Sequence, residues 1–203
     1  MNKKQLQSEQ TRKRIVDAAR MLFAQKGYKA TSIEDIIAAT GTSKGNLYYH
    51  FKSKEGLFLY LLDEWDREWE EKWEARESQF KTSSEKLFGL AEVLVHDDLN
   101  HPLTKAADEF FNEEKTSEIE ERITGMVDRH LEWNRRLIQE GIDRGEYRAE
   151  QADEYAVVLE SLLFGLSHMS RNRKPEAVLE LYHRAMKVFL YGISAGTTSH
   201  TPG

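Results

Sequence analysis

Apolar residues recur at intervals of three and four along nearly the whole chain, the period of helices rather than strands. Ile15, Ala18, Ala19, Leu22 and Phe23 share one helical face, and Gly27 ends that helix. Thr31-Ser32-Ile33-Glu34 reads as a capping box that opens a short helix with Ile33, Ile36 and Ile37 inward. Gly41 breaks it. A second short helix starts near Ser43 and ends near His50. Ser53 then caps a long helix running from Lys54 to about Phe80. Further helices are predicted over roughly 84–96, 104–112, 117–143, 151–170 and 175–194. Ser117-Glu118-Ile119-Glu120 is another capping box, Gly145 a stop, and Pro175 a first-turn proline. Residues 195–203 read as a disordered tail. The expected fold class is all-α: a three-helix helix-turn-helix domain over 1–53, a larger helical domain over 54–194, then the tail.

Composition adds bounds. The 203 residues suit a small domain fused to a moderate one. Hydrophobic residues make up 39% and the mean hydropathy is −0.67. No apolar run approaches the ~18 residues of a membrane span, so no membrane association is expected. The start, Met1-Asn2-Lys3-Lys4-Gln5, lacks the apolar region of a secretory signal. The absence of cysteine excludes disulfides and thiolate chemistry, and a cytoplasmic location fits.

Charge changes the picture more. The net charge of −6 argues against a general nucleic-acid binder. Its distribution argues the opposite: residues 1–54 carry +7 and the remainder −13. A basic head on an acidic body is expected where one segment meets phosphates and the other does not.

That head contains two short helices after a longer amphipathic one, with a glycine in the turn. With Leu47 facing inward at 100° per residue, Phe51 and Ser43 lie within about 40° of it. Thr42, Gly45, Asn46 and Tyr49 then point away, with Tyr48 and Lys44 on the flanks. The outward set offers a hydroxyl, an amide, a phenol and bare backbone, groups suited to base edges and phosphates. Gly45 costs a helix about 1 kcal/mol relative to Ala, which makes sense if a partner must approach closely. Lys44, Lys52 and Lys54, with Lys3, Lys4, Arg12 and Lys13 ahead of the first helix, are the expected electrostatic contacts.

The stretch Gly41-Thr42-Ser43-Lys44-Gly45-Asn46-Leu47-Tyr48-Tyr49-His50-Phe51-Lys52-Ser53-Lys54-Glu55-Gly56-Leu57 closely resembles the signature of the tetracycline-repressor (TetR) family. So do Ile15 through Phe23, Gly27-Tyr28 and Thr31. The resemblance covers about residues 9–60. Thr42 stands where the family more often has an apolar residue. By this resemblance Ser32, Thr42, Ser43, Lys44, Gly45, Asn46, Tyr48, Tyr49, His50 and Lys54 map onto operator-contacting positions, with Lys54 on a phosphate. It also implies a helical ligand-binding and dimerisation domain, and a long helix that borders the ligand cavity.

The body carries no motif of its own. Trp65, Trp69 and Trp73 recur every fourth residue, on one helical face. Such tryptophans are more often ordinary core, yet they could line a pocket for an apolar or aromatic effector. The acids Asp63, Glu64, Asp66, Glu68, Glu70 and Glu71 lie close by in sequence, so a cationic lipophile is also conceivable. Phe110, Phe111, Met126, His130, Trp133, Phe164 and Met169 complete the candidate ligand set. His130 is more often a hydrogen-bonded interior histidine. His96 and His101 are metal-capable but do not share a helical face, and their segment reads as a loop. No metal and no cofactor is expected.

The last two helices are the most apolar part of the chain. Ser161, Leu162, Gly165 and Leu166 on the first, with Tyr182, Met186 and Phe189 on the second, are the expected homodimer interface. The leading expectation is therefore a sequence-specific DNA-binding regulator: a repressor released from a palindromic operator by a small molecule. The alternative is a helical small-molecule-binding protein, or an enzyme, retaining a non-functional helix-turn-helix. No phosphate loop, Cys nucleophile or paired catalytic carboxylate supports an enzyme.

Overall fold

The computed structural model describes residues 2–99, 101–148, 151–170 and 173–193. The expected tail, 195–203, lies outside them, as do Asn100 and the side chains of Asp97 and Asp98. The described residues are all-helical: α1 (Lys3–Lys26), α2 (Ile33–Thr40), α3 (Lys44–Phe51), α4 (Lys54–Glu77), α5 (Ser83–Val93), α6 (Thr104–Phe111), α7 (Ser117–Asp143), α8 (Ala152–Ser170) and α9 (Pro175–Ile193). Helix α5 continues into a π-helical turn at Leu94–Asp98, which runs past the predicted end at 96 into the segment that the sequence reads as a loop.

Helix starts are fixed by side chains. Asn2, Ser32 and Thr82 form capping boxes with Gln5, Asp35 and Glu85. In the expected Thr31–Glu34 box, the cap is therefore one residue later. Helix α1 also begins twelve residues before Ile15, so Lys3, Lys4, Arg12 and Lys13 lie on it rather than ahead of it. The stretch before Ile15 buries nothing and hence shows no apolar face, but Lys, Gln, Glu and Arg propagate a helix well.

The described residues divide between two compact units, one drawn from 1–70 with 100–123 and the other from 71–99 with 124–203. The divisions fall inside α4 and α7. In the first unit, Phe23, Tyr28, Phe58 and Phe110 form one aromatic cluster with ring centroids 4.9–5.7 Å apart. Ile15, Ala19, Ile36 and Leu47 are fully buried in the same unit. These seat the three N-terminal helices.

In the second unit, Leu87, Leu90, Ile138, Leu159, Tyr182 and Met186 are buried. Lys86 is buried too, and its ammonium reaches Glu77 at 2.8 Å and Glu140 at 2.6 Å. Burial opposes its charge, but the hydrogen bonds and charges of the two glutamates outweigh this and raise its pKa. The carboxylate of Glu146 accepts from the backbone N–H groups of Ser83 and Ser84, both at 3.0 Å, and so caps α5. Next to it, the Tyr147 ring packs so close to Gly141 that a Cβ there would lie 2.1 Å from a ring carbon.

Burial pushes the Tyr147 phenol up to about 12 from its ordinary 10.0. A group whose pKa is raised on folding stabilises fully below its unfolded value. Its contribution is therefore present below pH ~10 and lost as pH rises toward ~12. Discounted for solvent screening, the loss is on the order of 1–2 kcal/mol. Tyr147→Phe is expected to match the wild type closely at pH 7, since the phenol makes only a 3.5 Å contact with Ser84. At pH 11 the wild type should lose more stability than Tyr147→Phe. Urea melts at both pH values check this; equal losses would exclude the assignment.

Candidate nucleic-acid interface and sensor residues

Helix α3 presents two chemically distinct faces. Leu47 and Phe51 are buried, as the wheel predicts. Ser43 caps the helix, its hydroxyl accepting from the Asn46 N–H at 3.2 Å. Gly45, Asn46, Tyr48 and Tyr49 are exposed, Tyr49 by 78%. A Cβ on Gly45 would meet only the Ser43 hydroxyl, at 3.9 Å. Nothing within the chain thus requires glycine there. The Tyr49 ring stands edge-on to His50 at 5.1 Å, which orients the phenol without burying it. Ser32 is exposed at the start of α2, its hydroxyl accepting from the Asp35 N–H at 3.0 Å.

Two residues of the predicted set are placed otherwise. Thr42 is buried, not outward. It precedes the cap Ser43, so it lies outside the helix and the wheel does not apply to it. Lys54, expected on a phosphate, is half-buried and turned inward. Its ammonium donates to the carbonyls of Tyr28 at 2.8 Å and Thr31 at 3.0 Å, and sits 4.1 Å from the Tyr28 ring centroid. Lys44 stays on the surface but is engaged: its ammonium lies 3.2 Å from Glu34 of α2. The helical wheel could not find Glu34, because that contact joins two helices. An acid in the first turn of α2, ten residues before Lys44, is the signal that could have drawn attention to it.

The candidate ligand residues do not behave as one set. In the first unit, Trp65 stacks on His101 with centroids 3.9 Å apart. Trp69 is half-buried, and Phe110 is in the aromatic cluster while Phe111 is 48% exposed. In the second unit, Trp73 is buried and meets Trp133 edge-on at 5.3 Å. Met126 is buried; His130 approaches Glu160 at 3.3 Å, and Asn134 donates to the same carboxylate at 2.8 Å. Phe164 and Met169 are exposed by 69% and 70% and line no interior.

The expected dimer residues divide likewise. Ser161 is exposed, and Leu162, Gly165 and Leu166 are half-exposed on α8. Tyr182, Met186 and Phe189 are buried, so they pack inside their own chain instead. The periodicity marks an apolar face but does not say what covers it. Val188 and Tyr191 are the exposed large apolar residues of α9.

Comparison with known proteins agrees with this geometry. A family profile described as "Bacterial regulatory proteins, tetR family" matches residues 15–61. One described as "QacR-like protein, C-terminal region" matches residues 65–195. The HTH-type transcriptional regulator QacR of Staphylococcus aureus is 29% identical over 89% of this chain and 97% of its own. The uncharacterized HTH-type transcriptional regulator YfiR of Bacillus subtilis is 32% identical over 68% of each chain. Among solved structures, FadR of Bacillus subtilis in complex with stearoyl-CoA shares the fold, with a TM-score of 0.72 at 21% identity over 89% of this chain and 98% of that one. A Saccharomonospora viridis regulator in complex with choline does so with a TM-score of 0.70 at 23% identity over 93% of this chain and 100% of that one. The helix-turn-helix geometry and both profiles agree: the chain belongs to the TetR family of DNA-binding transcriptional regulators.

Proposed function

We propose that the chain is a homodimeric repressor that a small apolar or aromatic effector releases from a palindromic operator. The observation that carries this reading is the exposed face of α3. Gly45 leaves the backbone open there, and Asn46 and Tyr49 offer exposed hydrogen-bonding groups. Ser32, Ser43, Lys44, Tyr48 and His50 surround that face in the proposed interface. A helix-turn-helix reads half-sites in pairs, so two copies are needed. The exposed apolar residues Val157, Val158 and Phe164, with Ser161, Leu162, Gly165 and Leu166, make α8 the proposed dimer helix. Residues 1–53 would form the DNA-binding domain and 54–194 the sensing and dimerisation domain. Trp73, Met126, His130 and Trp133 are the proposed effector contacts in the second unit. An effector acts only through its different affinity for the operator-competent and released states. The chain works in the cytoplasm, where its operator would be.

Four outcomes are expected. Duplexes enriched by the purified protein from a random pool should contain an inverted repeat. Against such a duplex, Asn46→Ala and Tyr49→Ala should each lose ~1–3 kcal/mol of discrimination over a scrambled sequence. An unchanged affinity ratio in both would remove α3 as the reading element.

Lys54→Ala should act on folding first. It strips a donor from two carbonyls, a loss of about 1–3 kcal/mol in melting experiments. The salt slope of DNA binding should stay within error of the wild type. A slope lower by about 0.9 at unchanged stability would instead restore the phosphate role.

Phe164→Glu, at an exposed site, should leave the helical content intact and shift sedimentation from dimer to monomer. A mutant that stays dimeric at micromolar concentration would place the interface elsewhere.

A further inference from the structure

Glu34 is an acid on a surface that the preceding reading presents to a polyanion. Its position is defined. Ser32 caps α2 and Glu34 is the second helical residue, in the first turn where the helix end is partially positive. This is the kind of site a phosphate occupies. The Glu34 carboxyl is held below the usual carboxylate range by its own backbone N–H first and then by Lys44. The Lys44 ammonium lies 3.2 Å from it and 6.0 Å from the Tyr48 ring centroid. Both partners are well exposed, 61% and 71% at the side chain, so the pair is open to solvent and to a competing anion. The neighbouring carboxylate, Asp35, is otherwise engaged: it accepts from the Ser32 N–H at 3.0 Å and pairs with Lys26 at 3.3 Å.

We propose that Glu34 is a specificity-setting residue: it stands in for a DNA phosphate in the free protein and holds Lys44 until a real phosphate displaces it. The inference rests on the operator-binding reading of α3. An exposed pair of this kind is weak, so it yields where base contacts add to the phosphate's pull. On a sequence that lacks those contacts, Lys44 gains little by leaving Glu34. The pair then stays closed, Lys44 is withheld from the phosphate, and the complex forgoes that contact. Non-specific DNA is therefore held less well than the basic charge of the head would give, while the operator is affected less. Glu34 so widens the ratio between the two affinities, which is the quantity that matters on a genome of competing sites.

The experiment compares wild type, Glu34→Gln, Lys44→Ala and the double variant on sonicated heterologous DNA and on the duplex enriched by the wild type, over a salt series. Glu34 is exposed and Gln keeps its shape, so the fold is retained; Glu34→Thr is a second variant without the charge. Glu34→Gln should bind heterologous DNA ~1.4- to ~5-fold more tightly, the range for an exposed ion pair. Its salt slope should steepen by up to about 0.9, one further phosphate neutralised. The gain on the enriched duplex should be smaller, so discrimination falls. In the Lys44→Ala background the same change should do much less. Equal gains on both DNAs would overturn the specificity role. An equal gain with and without Lys44 would show plain repulsion and overturn the stand-in. Wild type that binds neither DNA while folded would overturn the operator-binding reading along with it, whereas normal wild-type binding with a silent Glu34→Gln would overturn this inference alone.

Discussion

The first unit depends on the turn that follows α1. Gly27 leaves the helix at a φ of 85°, a conformation that favours glycine, and the next four residues tie three other elements to it. The Tyr28 ring touches Phe23 of α1, Phe58 of α4 and Phe110 of α6. Thr31 is buried, and its hydroxyl donates to the Gly27 carbonyl at 2.7 Å. Lys54 at the head of α4 donates to the Tyr28 and Thr31 carbonyls. Glu109 of α6 accepts from the Lys29 N–H at 2.9 Å, and a Cβ on Gly27 would lie 2.5 Å from that carboxylate. Three backbone polar groups of this five-residue segment are thus bound by charged side chains from two other helices. Charge-assisted bonds of this kind are stronger than neutral ones, and leaving a buried partner unmade is costly. The turn sets where α2 starts, and α2 with α1 seats α3.

Against that rigid base, the α3 surface is chemically open. Its inward residues Leu47 and Phe51 are apolar and buried, and its outward residues Gly45, Asn46, Tyr48 and Tyr49 are exposed. Arg20 shows the contrast on the same unit. It is bound by Glu64 at 2.8 Å and Glu68 at 3.1 Å, and Glu64 also accepts from the Tyr60 hydroxyl at 2.8 Å. That arginine is a brace between α1 and α4. Basic residues of one segment therefore divide into those that hold helices together and those left at the surface, and net charge by segment does not distinguish them.

The helices were largely legible because their signals are local. Caps, stops and a 3.6-residue period placed most ends within a few residues. The exceptions have local causes as well. Helix α1 extends through polar residues that bury nothing, and the 94–98 turn carries the helical path past His96 through Asp97 and Asp98, where no apolar period continues. The interface was half legible. The wheel separated Leu47 and Phe51 from Asn46 and Tyr49, since those sit on the same regular helix. It failed for Thr42, one residue before the cap, and for Lys54, whose partners lie 23 and 26 residues away. Contacts across sequence are set by tertiary packing, which no periodicity encodes.

The same limit explains α8 and α9 and bears on the oligomer. Both helices have stripes rich enough to suggest an interface. On α9 the stripe of Tyr182, Met186 and Phe189 is consumed by the chain's own core. On α8 the apolar residues wrap around the helix: Ala156 and Leu159 are buried, whereas Val157, Val158 and Phe164 face out. A soluble helix that needs one apolar face and carries two has a surplus, and a monomer would expose it to water. Each large side chain left exposed forgoes roughly 1.5–3 kcal/mol of burial. Several of them on one helix therefore favour a covering partner. A second copy is the partner that the proposed operator reading calls for. The overabundance of apolar positions on α8, rather than their presence on α9, is the feature that points to association.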